Sequence, residues 1–333
     1  MIGSIARRAA VTGALAAAGS LGALTLYFHP PFGLPPQVAA AGLLALALAA
    51  LAFGGRRRAL LALYFAALAA TAALWISLEP SAAAPFRTEL ARLPLARIDG
   101  DRIEVANVRN FDWRSEQDYD ARWETRTYAL SQLRSVDLFE TYWMGPAIAH
   151  TIVSFGFADG RHLAFSVEVR RTQGEEYAAL PGFFRVFQLA YVAADERDLI
   201  GLRHVRPEDT YVFRLRVDMP RARALLVEYL RRASDLAARP RFYNSVAANC
   251  ATEIFSMVRA VGFDPPFDWR ILANGYLPEL AYEEGLLDAR VPLDELRRLG
   301  RIEPRYRDTT DSVAYSAMLR AGVPDPAVQP EKK

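Results

Sequence analysis

The sequence has little of the chemistry that proteins use to cross-link themselves or to hold metals and nucleic acids. It contains one cysteine, Cys250, and four histidines in 333 residues. A single cysteine excludes a disulfide within the chain, and the scattered histidines lack metal-ligand spacing. The formal net charge is only +2, and there is no basic arm with interleaved aromatic residues, which argues against a nucleic-acid partner. There is also no phosphate-binding glycine loop and no G-x-S-x-G motif. We therefore expect no metal and no cofactor.

Apolar residues are concentrated before residue 80. Three apolar stretches occur there: Ala9–Phe28, Gln37–Phe53 and Ala59–Leu78. A helix needs roughly 20 apolar residues to cross a bilayer, and only the second stretch is short. Residues 1–78 are therefore predicted to be a membrane anchor of three transmembrane helices. The alternative is a cleaved signal peptide followed by two spans.

The arginines around these stretches predict the orientation of the anchor. Arg7 and Arg8 precede the first stretch, Arg56–Arg58 lie between the second and the third, and the loop His29–Pro36 carries no positive charge. Positive loops stay on the cytoplasmic side. The N-terminus is therefore predicted to be cytoplasmic, and everything after residue 78 is predicted to be outside.

The external part has the pattern of an α+β protein, with short strands followed by helices. Its predicted divisions are a linker (79–99), a thiol-bearing domain (100–268) and a helical C-terminal extension (269–333). Asn110–Tyr128 is polar and rich in aromatic residues, and we interpret it as a long segment packed on the surface.

A β-hairpin is the clearest unit in this region. Two β-rich runs, 150–157 and 162–170, flank a three-residue turn that contains a glycine, a common hairpin connection. The turn sets a register in which His150 lies opposite Glu168 on one face of the hairpin. His162 is on the same face but about six residues further along, roughly 20 Å away.

Cys250 lies where a loop turns into a helix. Either Asn249 is the N-cap residue, or Cys250 is the cap and Glu253 completes a capping box. In both cases the sulfur is near the positive end of the helix, which favours the thiolate, and free N–H groups there can stabilise an oxyanion. The candidate catalytic residues are Cys250 as nucleophile, His150 as base and Glu168 as its orienting group. The competing interpretation is an inert core cysteine beside a structural histidine.

Several motifs resemble the Lnb-type periplasmic domain family. They occur in the family's order between about residue 100 and residue 265: Asn107–Arg114, Ile148–Phe157, Phe165–Glu168, Ala194–Asp198 and Tyr243–Thr252. The resemblance implies a permuted papain-like, NlpC/P60-related fold with a small antiparallel sheet, in which His150 is the base and Cys250 the nucleophile. We assign Asn249, Thr252 and Tyr243 to the surroundings of the thiol or to its oxyanion site. Related lecithin:retinol acyltransferase-like proteins have a second histidine twelve residues after the first, which makes His162 the rival of Glu168.

The same resemblance implies a bacterial inner-membrane protein whose catalytic-like domain is periplasmic. The expected activity is that of a cysteine acyltransferase or hydrolase that forms an acyl-thioester. A phospholipid or a lipoprotein is the expected substrate, with lipoprotein N-acylation as the expected reaction. A cell-wall peptide amidase or peptidase is the first alternative, and a non-catalytic membrane-tethered interaction module is the second.

Overall fold

The computed structural model describes residues 2–52, 57–206, 208–263, 266–303 and 311–326. The chain divides into two compact units. We call Met1–Ser81 together with Ala178–Val186 the helical unit, and Ala82–Tyr177 together with Phe187–Lys333 the sheet unit. Arg56 of the arginine triplet, the end of the second apolar stretch and parts of the predicted C-terminal extension lie outside the described residues.

The helical unit contains a helix in each of the three predicted apolar stretches. These helices are α1 (Ile2–Phe28), α2 (Pro36–Ala52) and α3 (Arg57–Ser77). By length and composition, α1 and α3 are able to cross a membrane, whereas α2 has only 17 residues and is shorter than a typical span.

Small residues let these helices approach closely. A Cβ on Gly22 would lie 2.7 Å from a methyl carbon of Leu43, and one on Gly19 would lie 2.9 Å from the hydroxyl of Tyr64. That hydroxyl instead donates a 2.6 Å hydrogen bond to the carbonyl of Leu15. Glycines at helix contacts and a polar bond between helices are the usual means of association for apolar helices.

The segment Ala178–Val186 packs with the helices although it is distant from them in sequence. A ring nitrogen of His29 lies 2.6 Å from the carbonyl oxygen of Phe184. The guanidinium of Arg185 lies 3.7 Å from the ring centre of Trp75 and donates to that residue's carbonyl. His29 therefore joins the end of α1 to the segment Ala178–Val186 within the helical unit.

The sheet unit is built on a mainly antiparallel sheet, larger than the small sheet that we predicted. Its strands and those of a separate ribbon are β1 (Leu95–Asp99), β2 (Arg102–Arg109), β3 (Asp112–Trp113), β4 (Tyr119–Asp120), β5 (Trp123–Ala129), β6 (Leu133–Tyr142), β7 (Ala149–Phe157), β8 (His162–Arg170), β9 (Gln188–Ala194) and β10 (Asp209–Arg214). The order in the main sheet is β1-β2-β9-β8-β7-β6-β10, with β5 also on β2, and β3 pairs with β4 in the ribbon. Among the strands of the described residues, only the short β2–β9 pairing is parallel.

Six helices accompany the sheet within the described residues. They are α4 (Glu196–Val205), α5 (Met219–Ala238), α6 (Cys250–Ala260), α7 (Leu277–Glu283), α8 (Leu293–Gly300) and α9 (Ser312–Leu319). The described residues therefore form a mixed α+β protein with nine α-helices in all.

Alternation along β7 sends neighbouring side chains to opposite faces of the sheet. Phe155 faces α5, where its ring meets those of Phe165 and Tyr229 in a fully buried cluster. Ser154 points the other way and donates to Glu196 at the start of α4. The sheet is thus covered on one face by an apolar layer and on the other by a buried polar one.

The region predicted as a linker and the aromatic surface segment both contain strands. Residues 79–99 include β1, and Asn110–Tyr128 includes β3, β4 and most of β5. The aromatic rings of this segment pack on each other and on Leu202 of α4. At its edge, Arg109 binds Asp198 through both carboxylate oxygens, and the same carboxylate accepts from Trp113 Nε1. These motif residues are therefore structural.

The end of α9 is anchored by a buried charge cluster. Arg320 reaches between Asp137 and Glu196, which are both fully buried, at 2.8 and 2.6 Å. Burial raises the pKa of Glu196, but the charge of Arg320 and its hydrogen bonds outweigh this and bring the pKa down to about 2. Part of the predicted C-terminal extension is thus integral to the sheet unit.

Candidate active site

The hairpin register predicted from the turn is confirmed. Ile152 lies opposite Ser166 in the antiparallel β7–β8 pair, so His150 lies opposite Glu168. His162 pairs with Gly156 instead, at the other end of the hairpin. The register therefore brings Glu168, and not His162, to His150.

His150 is held from one side by two groups on β8. Its Nε2 lies 2.6 Å from the hydroxyl of Ser166 and 3.1 Å from a carboxylate oxygen of Glu168. The same hydroxyl donates to Glu168 at 2.6 Å, so it accepts from Nε2. Nε2 must therefore carry a proton, which leaves Nδ1 as the nitrogen free to exchange one. Arg203 of α4 lies 3.5 Å from the same Glu168 oxygen.

These contacts determine the protonation of the pair. Burial lowers the pKa of His150, but the charge of Glu168 and hydrogen bonds with Cys250 and Glu168 raise it to about 9. Burial raises the pKa of Glu168, but the charge of His150 and its hydrogen bond hold that pKa well below the usual range. At neutral pH the pair is an imidazolium and a carboxylate.

Cys250 is the first residue of α6, and Asn249 is its N-cap. The side-chain oxygen of Asn249 accepts from the N–H of Thr252, and the hydroxyl of Thr252 accepts from the N–H of Asn249, which completes a capping box. The alternative with Cys250 as the cap is therefore wrong. Glu253 accepts from the hydroxyl of Tyr191 instead. Because Cys250 and Ala251 open the helix, their N–H groups have no acceptor within it.

A residue of the region after α6 also reaches the sulfur. Asn274 is buried, and its Nδ2 lies 3.6 Å from Cys250 Sγ. Its side chain also pairs with both main-chain groups of Ala149: the N–H of Ala149 donates to Oδ1 at 3.1 Å, and Nδ2 donates to the carbonyl. This amide bridges the strand that carries the imidazole and the helix that carries the thiol.

A polar chain continues from Asn274 into the core. Nδ2 lies 3.2 Å from the hydroxyl of Thr151, which in turn donates to Glu140 at 3.2 Å. Burial raises the pKa of Glu140 well above its usual range, and the nearby charge of Cys250 acts in the same direction. Both effects favour the uncharged form of this carboxyl group, whose Oε1 has no partner among the described residues.

Tyr243 is a buried neighbour of the same site. Burial raises its pKa above the usual range, as do the charges of Tyr177 and Cys250 and a hydrogen bond with Tyr177. Its phenol therefore stays protonated. Of the three residues assigned to the surroundings of the thiol, Asn249 and Thr252 form the helix cap and Tyr243 forms part of the wall.

A cavity of about 490 Å³ opens beside Asn274, with Gly275 in its wall. The hydroxyl of Tyr142, which also lines it, donates to the carbonyl of Gly275. Its lining residues are mostly aromatic or charged: Tyr142, Trp143, Asp209, Tyr211, Tyr276, Glu279 and Arg297. The volume is that of a small-ligand site.

Sequence reasoning missed Ser166, Asn274 and Glu140. Ser166 was within reach, because the same register puts it two residues from Glu168 on the same face of β8. Asn274 carried no such signal, since it lies 24 residues after Cys250 in a region of short turns. Within the described residues, no cluster of His, Cys, Asp and Glu could hold a metal ion.

The fold and the site define a mixed α+β domain with a buried imidazole–carboxylate pair, in which Asn274 joins the strand of that imidazole to a thiol at a helix start. Residues 119–275 match the family model of the Lnb N-terminal periplasmic domain, which confirms the resemblance seen in the sequence. The match runs from β4 to Gly275, so it includes Cys250, His150, Glu168 and Asn274. No curated protein and no solved structure matches the chain. The family and the apolar N-terminal helices fit a membrane-anchored protein with a periplasmic domain.

Proposed function

We propose that this protein is a membrane-anchored periplasmic cysteine acyltransferase or hydrolase with a permuted papain-like arrangement. The observation that carries the proposal is His150, which is paired with Glu168 at 3.1 Å and whose pKa Glu168 and Cys250 raise against the effect of burial. A nucleophile, a base and a group that orients the base are what acyl transfer through a covalent intermediate requires.

The reaction follows from this arrangement. Cys250 Sγ attacks an ester carbonyl, and the thiol proton resides on His150. The imidazolium then protonates the leaving alcohol as the C–O bond breaks, which leaves an acyl-thioester on Cys250. An amine or a water attacks the thioester, gives its proton to His150, and the thiol is restored as the C–S bond breaks. Free N–H groups at the start of α6 stabilise the oxyanion in both halves.

The lipid environment of an anchored protein favours a phospholipid or a lipoprotein as acyl donor, in the bacterial inner membrane with the N-terminus cytoplasmic. The cavity beside Asn274 suits a primary amine as acceptor. Its aromatic walls attract cations. Glu279 pairs with Arg297 through Oε1 at 2.6 Å, and its buried Oε2 has no hydrogen-bond partner among the described residues, so it is the oxygen that an amine would contact. The amino terminus of a lipoprotein has this chemistry. The charged wall would also accept a cell-wall peptide, which keeps an amidase of NlpC/P60 type as the second candidate.

Intact-mass analysis of the full chain in detergent separates these functions. Incubation with phospholipid should add one acyl mass to the wild type, removable by hydroxylamine, and none to Cys250→Ala. Release of new amines from muropeptides, without such an adduct, would support the amidase instead. No reaction with either substrate would contradict both and leave a non-catalytic module.

The acceptor site is tested in the same assay by adding dansylcadaverine, a fluorescent primary amine. Glu279→Gln should raise the KM for this amine about tenfold or more and leave the rate of acyl-adduct formation unchanged. Glu284→Gln is the matched control, because Glu284 is an exposed residue at the end of α7. Equal amine KM values for the wild type and Glu279→Gln would remove the cavity from the proposal.

A further inference from the structure

We propose that Asn274 is a catalytic residue whose side-chain amide stabilises the oxyanion formed when Cys250 attacks a carbonyl. The inference rests on the proposed acyl-transfer function and adds to it a group that lies outside the thiol, imidazole and carboxylate set. Its physical basis is that Asn274 Nδ2 already touches the attacking atom, at 3.6 Å from Sγ.

The orientation of this amide follows from its partners. An amide nitrogen and an amide oxygen are told apart by their hydrogen-bond partners. The N–H of Ala149 can only donate, so it requires Oδ1 opposite it, and the carbonyl of Ala149 can only accept, so it requires Nδ2. A flipped amide would place its NH₂ group against the N–H of Ala149 and its oxygen against the carbonyl oxygen of Ala149. Nδ2 therefore faces the sulfur.

One hydrogen of Nδ2 remains for the reaction. The first is directed to the carbonyl of Ala149. The second lies between the hydroxyl oxygen of Thr151 at 3.2 Å and Cys250 Sγ at 3.6 Å. The hydroxyl of Thr151 donates its own hydrogen to Glu140. Both contacts of this second hydrogen are longer than a strong N–H···O bond, so it can turn to a better acceptor when one forms.

Such an acceptor forms only during the reaction. The oxygen of the attacked carbonyl becomes an anion on a carbon bonded to Sγ, and it therefore lies within two bonds of the sulfur. A donor in contact with Sγ is within reach of that oxygen, on a side chain that is already held rigidly. Preorganised donors of this kind act mainly on the transition state.

The burial of Glu140 supports this role, because it raises the pKa of that carboxyl group and favours its protonated form. Glu140 is fully buried and is linked to Asn274 through Thr151. An ionised carboxylate there would attract the hydrogen of Nδ2 through Thr151 and would repel an oxyanion. A protonated Glu140 leaves the Asn274 donor available and the site free of competing negative charge.

Two reactions of the same thiol test the proposal on the full-length protein. Alkylation of Cys250 by iodoacetamide forms no oxyanion, whereas acylation by a p-nitrophenyl ester does. Asn274→Ala should slow acylation by about 10²–10³-fold, as the loss of one oxyanion donor does elsewhere. It should change the rate of alkylation by less than about threefold at the same pH. Asn274→Asp, which keeps Oδ1 and replaces the donor with an acceptor, should slow acylation at least as much.

Asn110→Ala is the matched control for loss of a buried asparagine. Asn110 and Asn274 are equally buried, both at 5% exposure, but Asn110 binds Glu124 and Arg197 rather than the thiol. Thermal unfolding of both variants measures their stability. If Asn274→Ala lowers alkylation and acylation in parallel, or leaves both unchanged, Asn274 is not an oxyanion donor. A wild type that is alkylated but never acylated would instead overturn the proposed function.

Inhibition by an aldehyde is a second test, because its strength would not change if Asn274 had only a structural role. The hemithioacetal formed with Cys250 carries an oxygen at the oxyanion position. Asn274→Ala should weaken inhibition by a simple alkyl aldehyde about tenfold or more, whereas Asn110→Ala should leave it unchanged. Equal inhibition of the wild type and Asn274→Ala would contradict the assignment.

Discussion

At the scale of single residues, the site depends on a histidine whose pKa is lowered by burial and raised by its neighbours. Burial alone would make His150 neutral. Glu168, Ser166 and Cys250 reverse this, and the imidazole carries its proton in the folded protein at neutral pH. The carboxylate of Glu168 therefore determines the charge of the imidazole.

The raised pKa of His150 predicts a pH dependence of folding stability. Its ordinary pKa is 6.5 and its folded value is about 9. A group with a raised folded pKa stabilises the protein fully below pH 6.5, and that stability is lost as the pH rises through 9. The total is about 3 kcal/mol at ~1.4 kcal/mol per pH unit. Urea unfolding followed by tryptophan fluorescence measures it, because four of the five tryptophans lie in the sheet unit.

His150→Gln is the comparison for this measurement. Between pH 6.5 and 9.5 the unfolding free energy of the wild type should fall by more than that of His150→Gln. Glu168→Gln should behave like His150→Gln, because without the carboxylate the burial of the imidazole lowers its pKa. Parallel pH profiles for all three proteins would show that the imidazolium does not stabilise the fold.

Residue-level prediction from sequence succeeded where geometry is local. A three-residue turn determines which residues of two strands face each other, so the approach of His150 to Glu168 followed from the hairpin alone. Asn274 had no such constraint. Its position depends on how turns after α6 pack on the start of β7, and tertiary packing of this kind leaves no periodic signal in the sequence.

At the scale of elements, the turn that carries Asn274 is locked by a close backbone contact. The N–H of Gly275 donates to the carbonyl of Ala147, and a Cβ on Gly275 would lie 2.1 Å from the carbonyl oxygen of Pro146. Main-chain atoms cannot move aside as a flexible side chain can. Glycine is therefore required next to Asn274 for steric reasons.

Gly275→Ala should destabilise the sheet unit by about 1–3 kcal/mol, the usual cost of overpacking. It should also slow acylation of Cys250, because the turn must move away from β7 and take Asn274 with it. Urea unfolding and the p-nitrophenyl ester assay measure the two effects. Gly201→Ala is the control: a Cβ there meets nothing within 4 Å, in the middle of α4. Gly201→Ala should raise the free energy of unfolding by up to about 1 kcal/mol. Similar stabilities of the two variants would contradict the steric argument.

Element-level prediction was most accurate where sequence patterns are long. The three apolar stretches and the hairpin appear as predicted. The strands β1, β3–β6 and β9 were not predicted. In β1 and β3–β5 the polar and aromatic residues do not alternate clearly, and the position of β3 depends on Asp198, which is distant in sequence. The pairing of Arg109 with Asp198 joins two of the resemblance motifs in the fold.

At the scale of the whole molecule, the C-terminal region is tied to the sheet by Arg320 and by an ion pair between Arg214 of β10 and Asp325. Arg320 donates to both Asp137 and Glu196, and Glu196 also accepts from Ser154 of β7. The strand that begins at the imidazole is therefore connected to the last described helix by a continuous set of buried polar contacts. This makes the C-terminal region a structural part of the domain, a role that its sequence alone did not indicate.

Replacing Arg320 with methionine should destabilise the sheet unit by about 3–5 kcal/mol, because Glu196 would stay buried without its arginine and Asp137 would keep only its longer contact with Arg214. Arg298→Met is the control, since Arg298 and Glu295 form an exposed pair on α8 that is worth about 0–1 kcal/mol. Adding Glu196→Gln to Arg320→Met should recover part of the loss, because it removes one unpaired charge. Urea unfolding measures all three. If Arg320→Met costs no more than Arg298→Met, the buried cluster does not anchor α9.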